Sequence, residues 1–113
     1  MNRMFAQGDL LIEKVEDVDP SGTIIEADVT GATVLAEGEV TGHRHAIYDR
    51  VTMFREDALA RDIPDGLYVG HVKVKGSAVI QHQEHAPIML GEGTYRVRRQ
   101  RELEPRDATL VSD

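Results

Sequence analysis

Four of the five histidines in this chain form two close pairs, and their spacing has clear chemical meaning. His43 and His45 lie in the segment TGHRHA, and His82 and His85 lie in QHQEHAP. Imidazole nitrogens bind transition-metal ions and exchange protons near neutral pH, and a carboxylate such as that of Glu84 can assist either role. The two pairs therefore indicate one site, provided that the fold brings the two segments together.

A hairpin with Thr41-Gly42 as its two-residue turn would place the first histidine pair on one face of a strand. The cross-strand pairs in this register are Val40–His43, Glu39–Arg44, Gly38–His45, Glu37–Ala46 and Ala36–Ile47. Residues i and i+2 of a strand point the same way about 6–7 Å apart, so both imidazoles could face one ion. A glycine opposite His45 would leave space beside the ring for an ion, a water molecule or a ligand.

We therefore predict that His43, His45 and His82 bind a divalent transition metal: zinc, iron, manganese or nickel. The chain has no cysteine, so such a site must use histidine, carboxylate and water as ligands. Glu84 and His85 are the predicted catalytic residues, either as a general base or as groups that complete or orient the ligand set. A coordination position left open would bind or convert a small molecule; whether the protein is an enzyme stays open at this stage.

Two interpretations need no metal. A histidine and Glu84 could form an acid–base pair or a pH-sensitive hydrogen-bond network. Alternatively, the histidines are structural, and the chain is a non-enzymatic interaction module that could form a homo-oligomer by pairing its strand edges between subunits. The fifth histidine, His71, has Lys73 and Lys75 on its own strand face, which predicts an outward, solvated side chain.

Short β-rich segments separated by Gly, Pro and Asp predict an all-β domain, a small antiparallel sandwich or barrel with at most one short helix. Only the segment 54–63 has helical character, and Pro64 would end it. Turns are expected at Gly76 and at Gly91-Glu92-Gly93, among other positions. The predicted strands are Asp9–Val15, Thr23–Val29, Thr33–Val40, His43–Tyr48, Leu67–Lys75, Ala78–His82, Ile88–Leu90 and Thr94–Glu102.

Length and charge narrow the classes of partner. The 113 residues fit a single domain spanning 1–113, with an extended tail from about residue 105. A net charge of −7 and only five aromatic residues oppose nucleic-acid and membrane binding. The arginines of the basic run 95–101 are expected to pair with carboxylates. The N-terminal segment lacks the apolar core of a signal peptide, which predicts a cytoplasmic protein.

The segments LAEGEVTGHRHAI, HQEHAPIML and GTYRVRRQRELEP resemble a group of short bacterial proteins, including phage-borne ones, with GHxH and HxEHAPI motifs. This resemblance implies that the two histidine pairs belong to one recurring constellation. A weaker resemblance links Gly38, His43, His45 and Asp49 to the first motif of the cupin family. Cupins are small β-barrels that hold a metal ion through an H-x-H pair, an acidic residue and a later histidine, which would present the pair inward.

Overall fold

Alternating apolar and polar residues produce an antiparallel β-structure in the computed structural model, which describes residues 3–37 and 42–100. Eight strands form one sheet in the order β1-β2-β8-β7-β5-β4, while β6 pairs with both β3 and β7. The strands are β1 (Met4–Gln7), β2 (Leu10–Val15), β3 (Thr23–Ile25), β4 (Thr33–Glu37), β5 (Arg44–Ile47), β6 (Thr52–Arg55), β7 (Tyr68–Gln81) and β8 (Ile88–Arg99). The predicted all-β antiparallel fold is confirmed.

The long strands β7 and β8 form the centre of the sheet. They pair along most of their lengths, and the other edge of β7 is divided between β6, at His71–Lys73, and β5, at Ile80–Gln81. Side chains from β2, β4, β5, β6, β7 and β8 meet in one buried cluster, so the sheet curves around a single core. Because β5 pairs with the last residues of β7, the first residues of β5 lie beside the segment that follows Gln81.

Two predicted turns lie inside continuous strands. Gly76 has φ +81° where the register of β7 on β8 shifts between Val74 and Ser77, which marks a bulge. The segment Gly91–Gly93 likewise continues β8 without ending it. The predicted strand pairs on either side of these glycines are therefore the single strands β7 and β8.

The segment 54–63 is not a helix along its length. Phe54 and Arg55 end β6, and only Asp57–Leu59 form one turn of 3₁₀ helix. This turn and the residues after it cover part of the sheet through a second small cluster that includes Ile63, Leu67 and Tyr68. The predicted tail from about residue 105 lies outside the described residues. Within the described ranges, no helix combines the length and apolar character needed to cross a membrane.

Candidate functional site

The four paired histidines lie next to one another at one end of the sheet. The ring centroid of His82 is 4.4 Å from that of His45, 4.6 Å from that of His85 and 5.6 Å from that of His43. The His45 and His85 centroids are 6.3 Å apart. The sequence prediction that His82 would meet the first pair in space is thus confirmed for the positions of the rings.

Strand pairing explains this proximity. Ala46 lies opposite Gln81 and Ile47 opposite Ile80, so the antiparallel register of β5 on β7 extends to His45 opposite His82. His43 precedes β5, and His85 lies in the turn after β7. The segments 43–45 and 82–85 become neighbours because β5 pairs with the part of the β7 edge that β6 does not occupy.

The predicted register of β4 on β5 is wrong. Ala36 lies opposite His45 and Glu37 opposite Arg44, with an irregularity in β4 between Val34 and Ala36. The residues Gly38, Glu39, Val40 and Thr41, which the prediction placed in the hairpin, lie outside the described residues. Since a buried alanine occupies the position assigned to Gly38, the predicted glycine gap opposite His45 does not exist.

A buried glutamine fixes the proton on His45. The Gln7 amide nitrogen donates to the backbone oxygens of Ile80, at 3.1 Å, and Ala86, at 2.9 Å. Its carbonyl oxygen must therefore be the atom 2.8 Å from His45 Nδ1, and this nitrogen must donate. The neutral His45 ring then carries its proton on Nδ1 and a lone pair on Nε2.

The lone pair of His45 faces a carboxylate. Nε2 lies 3.8 Å from Asp9 Oδ1, and the other oxygen of Asp9 accepts a hydrogen bond from Arg99. His45 is only 2% exposed, and burial, followed by the nearby His82 ring, lowers its pKa to about 4. At neutral pH the ring is uncharged, so two acceptors face each other at a distance suited to a bridging cation or water molecule.

The turn between β1 and β2 brings Asp9 to the histidines. Gly8 has φ +58° at the first central position of a two-residue turn, a conformation typical of a type II′ hairpin. A Cβ atom at Gly8 would lie 2.9 Å from His85 Nε2 and 3.1 Å from His45 Cε1. Glycine therefore allows the turn to pack directly against both rings.

The second pair lies in a turn and not on a strand face. β7 ends at Gln81, and His82 Nδ1 accepts the backbone N–H groups of Glu84, at 3.0 Å, and His85, at 3.3 Å. The exposed carboxylate of Glu84 lies 3.8 Å from His43 Nδ1. The alternation of faces along β7 therefore ends at Gln81, and the turn brings the His85 ring to the cluster.

The described ranges contain no group of three or more His, Cys, Asp or Glu side chains arranged to hold a metal ion as they stand. Asp49, the acidic residue of the cupin resemblance, accepts the backbone N–H of Val79 at 2.8 Å. In this conformation the histidine cluster is a set of adjacent rings in which the His45 Nε2 lone pair faces a carboxylate and the His82 Nδ1 lone pair accepts backbone N–H groups.

A family model described as Domain of unknown function (DUF8820) matches residues 6–100. The chain belongs to this family. No curated protein and no solved structure matched it. The DUF8820 match includes Gln7, Asp9, Arg99 and both histidine pairs, so the whole candidate site lies inside the family domain.

The structure also places His71 differently from the sequence prediction. His71 is 2% exposed, stacks on Phe54 with the centroids 5.4 Å apart, and is hydrogen bonded through Nδ1 to the Tyr68 hydroxyl at 2.6 Å. Burial, followed by the charge of Arg96, lowers its pKa. The prediction of an outward, solvated His71 is wrong because the ring packs against the aromatic side chains of Phe54 and Tyr68.

Sequence reasoning missed Gln7 and Asp9, which orient and face the buried histidine. The available signal was the segment Gln-Gly-Asp between apolar runs, which is typical of a tight hairpin turn with polar groups at its end. The expectation that arginines of the basic run pair with carboxylates is confirmed for Arg96, which binds Glu13 and Asp62, and for Arg99.

Proposed function

We propose that this protein is cytoplasmic, binds a divalent transition-metal ion, zinc, iron, manganese or nickel, at the histidine cluster, and uses the ion to bind or convert a small molecule. The observation that supports the proposal is the Nε2 lone pair of His45 facing the Asp9 carboxylate. Neutral imidazole and carboxylate are ligands that these ions accept. A histidine that binds a metal ion through one ring nitrogen usually donates the N–H of the other nitrogen to an oxygen acceptor, as His45 Nδ1 does to Gln7. Asp9 thus joins the histidines as a proposed ligand.

The distances suit a shared ion after small side-chain movements. Ligand bonds of about 2.0–2.1 Å at tetrahedral angles place two donor atoms roughly 3.3 Å apart, and two imidazole centroids roughly 5 Å apart. The His45–Asp9 atoms are 3.8 Å apart, and the His82 centroid is 4.4–5.6 Å from the other three. His43, His82 and His85 are only partly buried, which leaves them room to turn toward an ion.

Ion binding by His82 would require a local change. Its Nδ1 now accepts two backbone N–H groups, so the neutral ring carries its proton on Nε2 and offers that atom no lone pair. The turn 82–85 must release Nδ1 before His82 can bind an ion. In the proposal, His45, Asp9 and His85 bind first, while Glu84 remains beside His43 as the candidate general base.

A second candidate function follows from the same hydrogen bonds. His82 holds the turn after β7, and His45 joins β5 to β1 through Gln7, so the rings could be purely structural. The chain would then be an interaction module, and its sheet ends at β1 and β4, with Met4 on β1 55% exposed, would be the edges for homo-oligomer pairing.

Elemental analysis of tag-free protein separates the two functions. The protein is incubated with each of the four ions, and unbound ion is removed. If the metal proposal is correct, we expect about one bound ion per chain. Asp9→Asn should weaken binding by roughly tenfold or more, because even the loss of a residue that only supports a ligand typically costs about 10–100-fold in metal affinity. Asp65→Asn is a matched control because it removes an equal charge from an exposed turn.

The result that would overturn the metal proposal is wild-type protein without stoichiometric ion under any of these conditions. Equal losses of affinity in Asp9→Asn and Asp65→Asn would contradict the proposed ligand. A His43→Ala/His45→Ala variant, checked for folding by circular dichroism, should bind no ion. Sedimentation of the metal-free protein then tests the oligomeric module directly.

A further inference from the structure

All three lysines of the chain line one cavity that shares no residue with the cluster of His43, His45, His82 and His85. Lys14 on β2 and Lys73 and Lys75 on β7 border a space of about 510 Å³. Six residues of chain separate Lys75 from His82, a span of roughly 20 Å along a strand at about 3.3 Å per residue. The cavity is therefore separate from the candidate metal site, and the inference from it is independent of the proposed metal.

The positive charge in this cavity is only partly balanced. Two carboxylates, those of Asp17 and Glu92, border the same space. Lys73 is neutralised, since its ammonium group lies 3.5 Å from Asp17 and 3.6 Å from Asp19, which is outside the cavity, and donates to the Val18 carbonyl at 3.2 Å. In the part of the chain that the structure describes, Lys14 and Lys75 form no ion pair. Two ammonium groups thus face this cavity without a counter-ion in a chain of net charge −7.

The backbone is shaped to hold Lys14 in place. A Cβ atom on Gly93 would lie 2.8 Å from Lys14 Cε and 3.4 Å from its Nζ. The absence of this atom lets the lysine side chain lie across β8, with its ammonium group close to the backbone. A larger residue at 93 would displace Lys14 from the cavity.

The lining next to Gly93 is also fixed. The Thr94 side chain is fully buried and donates to Asp17 Oδ1 at 2.6 Å, and this bond is the largest cause lowering the pKa of Asp17. Asp17 is thus engaged by Thr94 as well as by Lys73. The carboxylate on Glu92 accepts the Gly76 N–H at 3.3 Å. Among the described residues, Asp17 pairs with Lys73 and Glu92 accepts a backbone N–H, whereas Lys14 and Lys75 have no ion-pair partner.

We propose that this cavity binds a small phosphate-bearing molecule, with Lys14 and Lys75 contacting the phosphate group. Lysine binds phosphate as a point charge from several directions, whereas the planar guanidinium of arginine is better suited to bidentate hydrogen bonds with a carboxylate. No arginine is among the described residues that line this cavity. The volume is within the range of roughly 300–1,000 Å³ typical of small-molecule sites. Val15 and Val74 supply apolar contacts for the remainder of such a molecule.

Calorimetric titration with inorganic pyrophosphate tests the proposal, using metal-free protein so that the histidine cluster does not contribute. We expect saturable binding of one pyrophosphate per chain. Lys14→Gln and Lys75→Gln should each weaken it by about tenfold or more, because charge-assisted hydrogen bonds are among the strongest polar contacts. Arg50→Gln, which removes an equal charge from an exposed position outside the cavity, should change the affinity less than about twofold.

Lysine acetylation followed by peptide mapping gives a second readout with the full chain. Pyrophosphate should slow acetylation at Lys14 and Lys75, while the rate at the N-terminal amine stays unchanged. The proposal is overturned if pyrophosphate does not bind saturably, or if Arg50→Gln weakens it as much as the lysine variants do. Tighter binding of tricarballylate than of pyrophosphate would overturn the assignment to phosphate.

Discussion

Replacing Gln7 by methionine tests the hydrogen-bond chain that orients His45. Methionine keeps the length of the side chain but removes the donor to Ile80 and Ala86 and the acceptor for His45 Nδ1–H. Three buried hydrogen bonds at about 1 kcal/mol each predict a loss of about 3 kcal/mol in the free energy of unfolding. This is a large share of the roughly 5–15 kcal/mol typical of a domain.

Urea unfolding followed by circular dichroism measures the loss, and the midpoint should fall by roughly 2 M. Gln81→Met is the matched control, because Gln81 is exposed on β7 and its side chain forms no hydrogen bond with the described residues. In ¹⁵N spectra of the wild type, His45 should carry its proton on Nδ1, and Gln7→Met should lose this preference. Stabilities of the two variants within about 0.5 kcal/mol would refute the hydrogen-bond argument.

Two further predictions concern other parts of the sheet. Gly22→Ala should be strongly destabilising, because φ is +72° and the new Cβ would lie 2.0 Å from the Arg55 carbonyl oxygen; Gly31→Ala, at φ +85° with open space around it, should lose only about 1–2 kcal/mol in thermal unfolding. Equal losses would show that β3 can move away from β6. The lowered pKa of His71 means that the unfolded chain binds its proton first as the pH falls, so stability should be complete above the usual histidine pKa of about 6.5 and decrease below it. Urea unfolding at several pH values should show a shallower decrease for His71→Asn, and an unchanged slope would contradict the assignment.

The sequence predicted most of the strand-forming segments because their alternation of apolar and polar residues is local information. It did not predict that Gly76 lies inside β7, since a glycine with positive φ suits a bulge as well as a turn. Which of the two forms depends on whether the next segment pairs with the same neighbour. Here the residues before and after Gly76 all pair with β8, and such long-range pairing cannot be deduced from the sequence around Gly76.

The histidine pairs were predicted to meet, and they do, but for a reason different from the predicted hairpin. His43 and His45 each contact the His82 ring, whereas the expected register failed because β4 has an irregularity after Val34. The residues that orient His45 come from the first hairpin, and only the pairing of β2 with β8 brings that hairpin to the site. Gln7 and Asp9 therefore could not be assigned from local spacing alone.

The two buried histidines show why neighbouring residue types predict burial poorly. His45 and His71 are each 2% exposed, and each has its Nδ1 bonded to a polar side chain, Gln7 in one case and Tyr68 in the other. A buried imidazole is stable once this bond is made, whatever its sequence neighbours are. Their surroundings then differ in chemistry: the His71 ring stacks on Phe54, while His45 Nε2 faces the Asp9 carboxylate. A polar partner explains burial at both positions, but an acceptor facing the second nitrogen distinguishes the candidate site from the packed core.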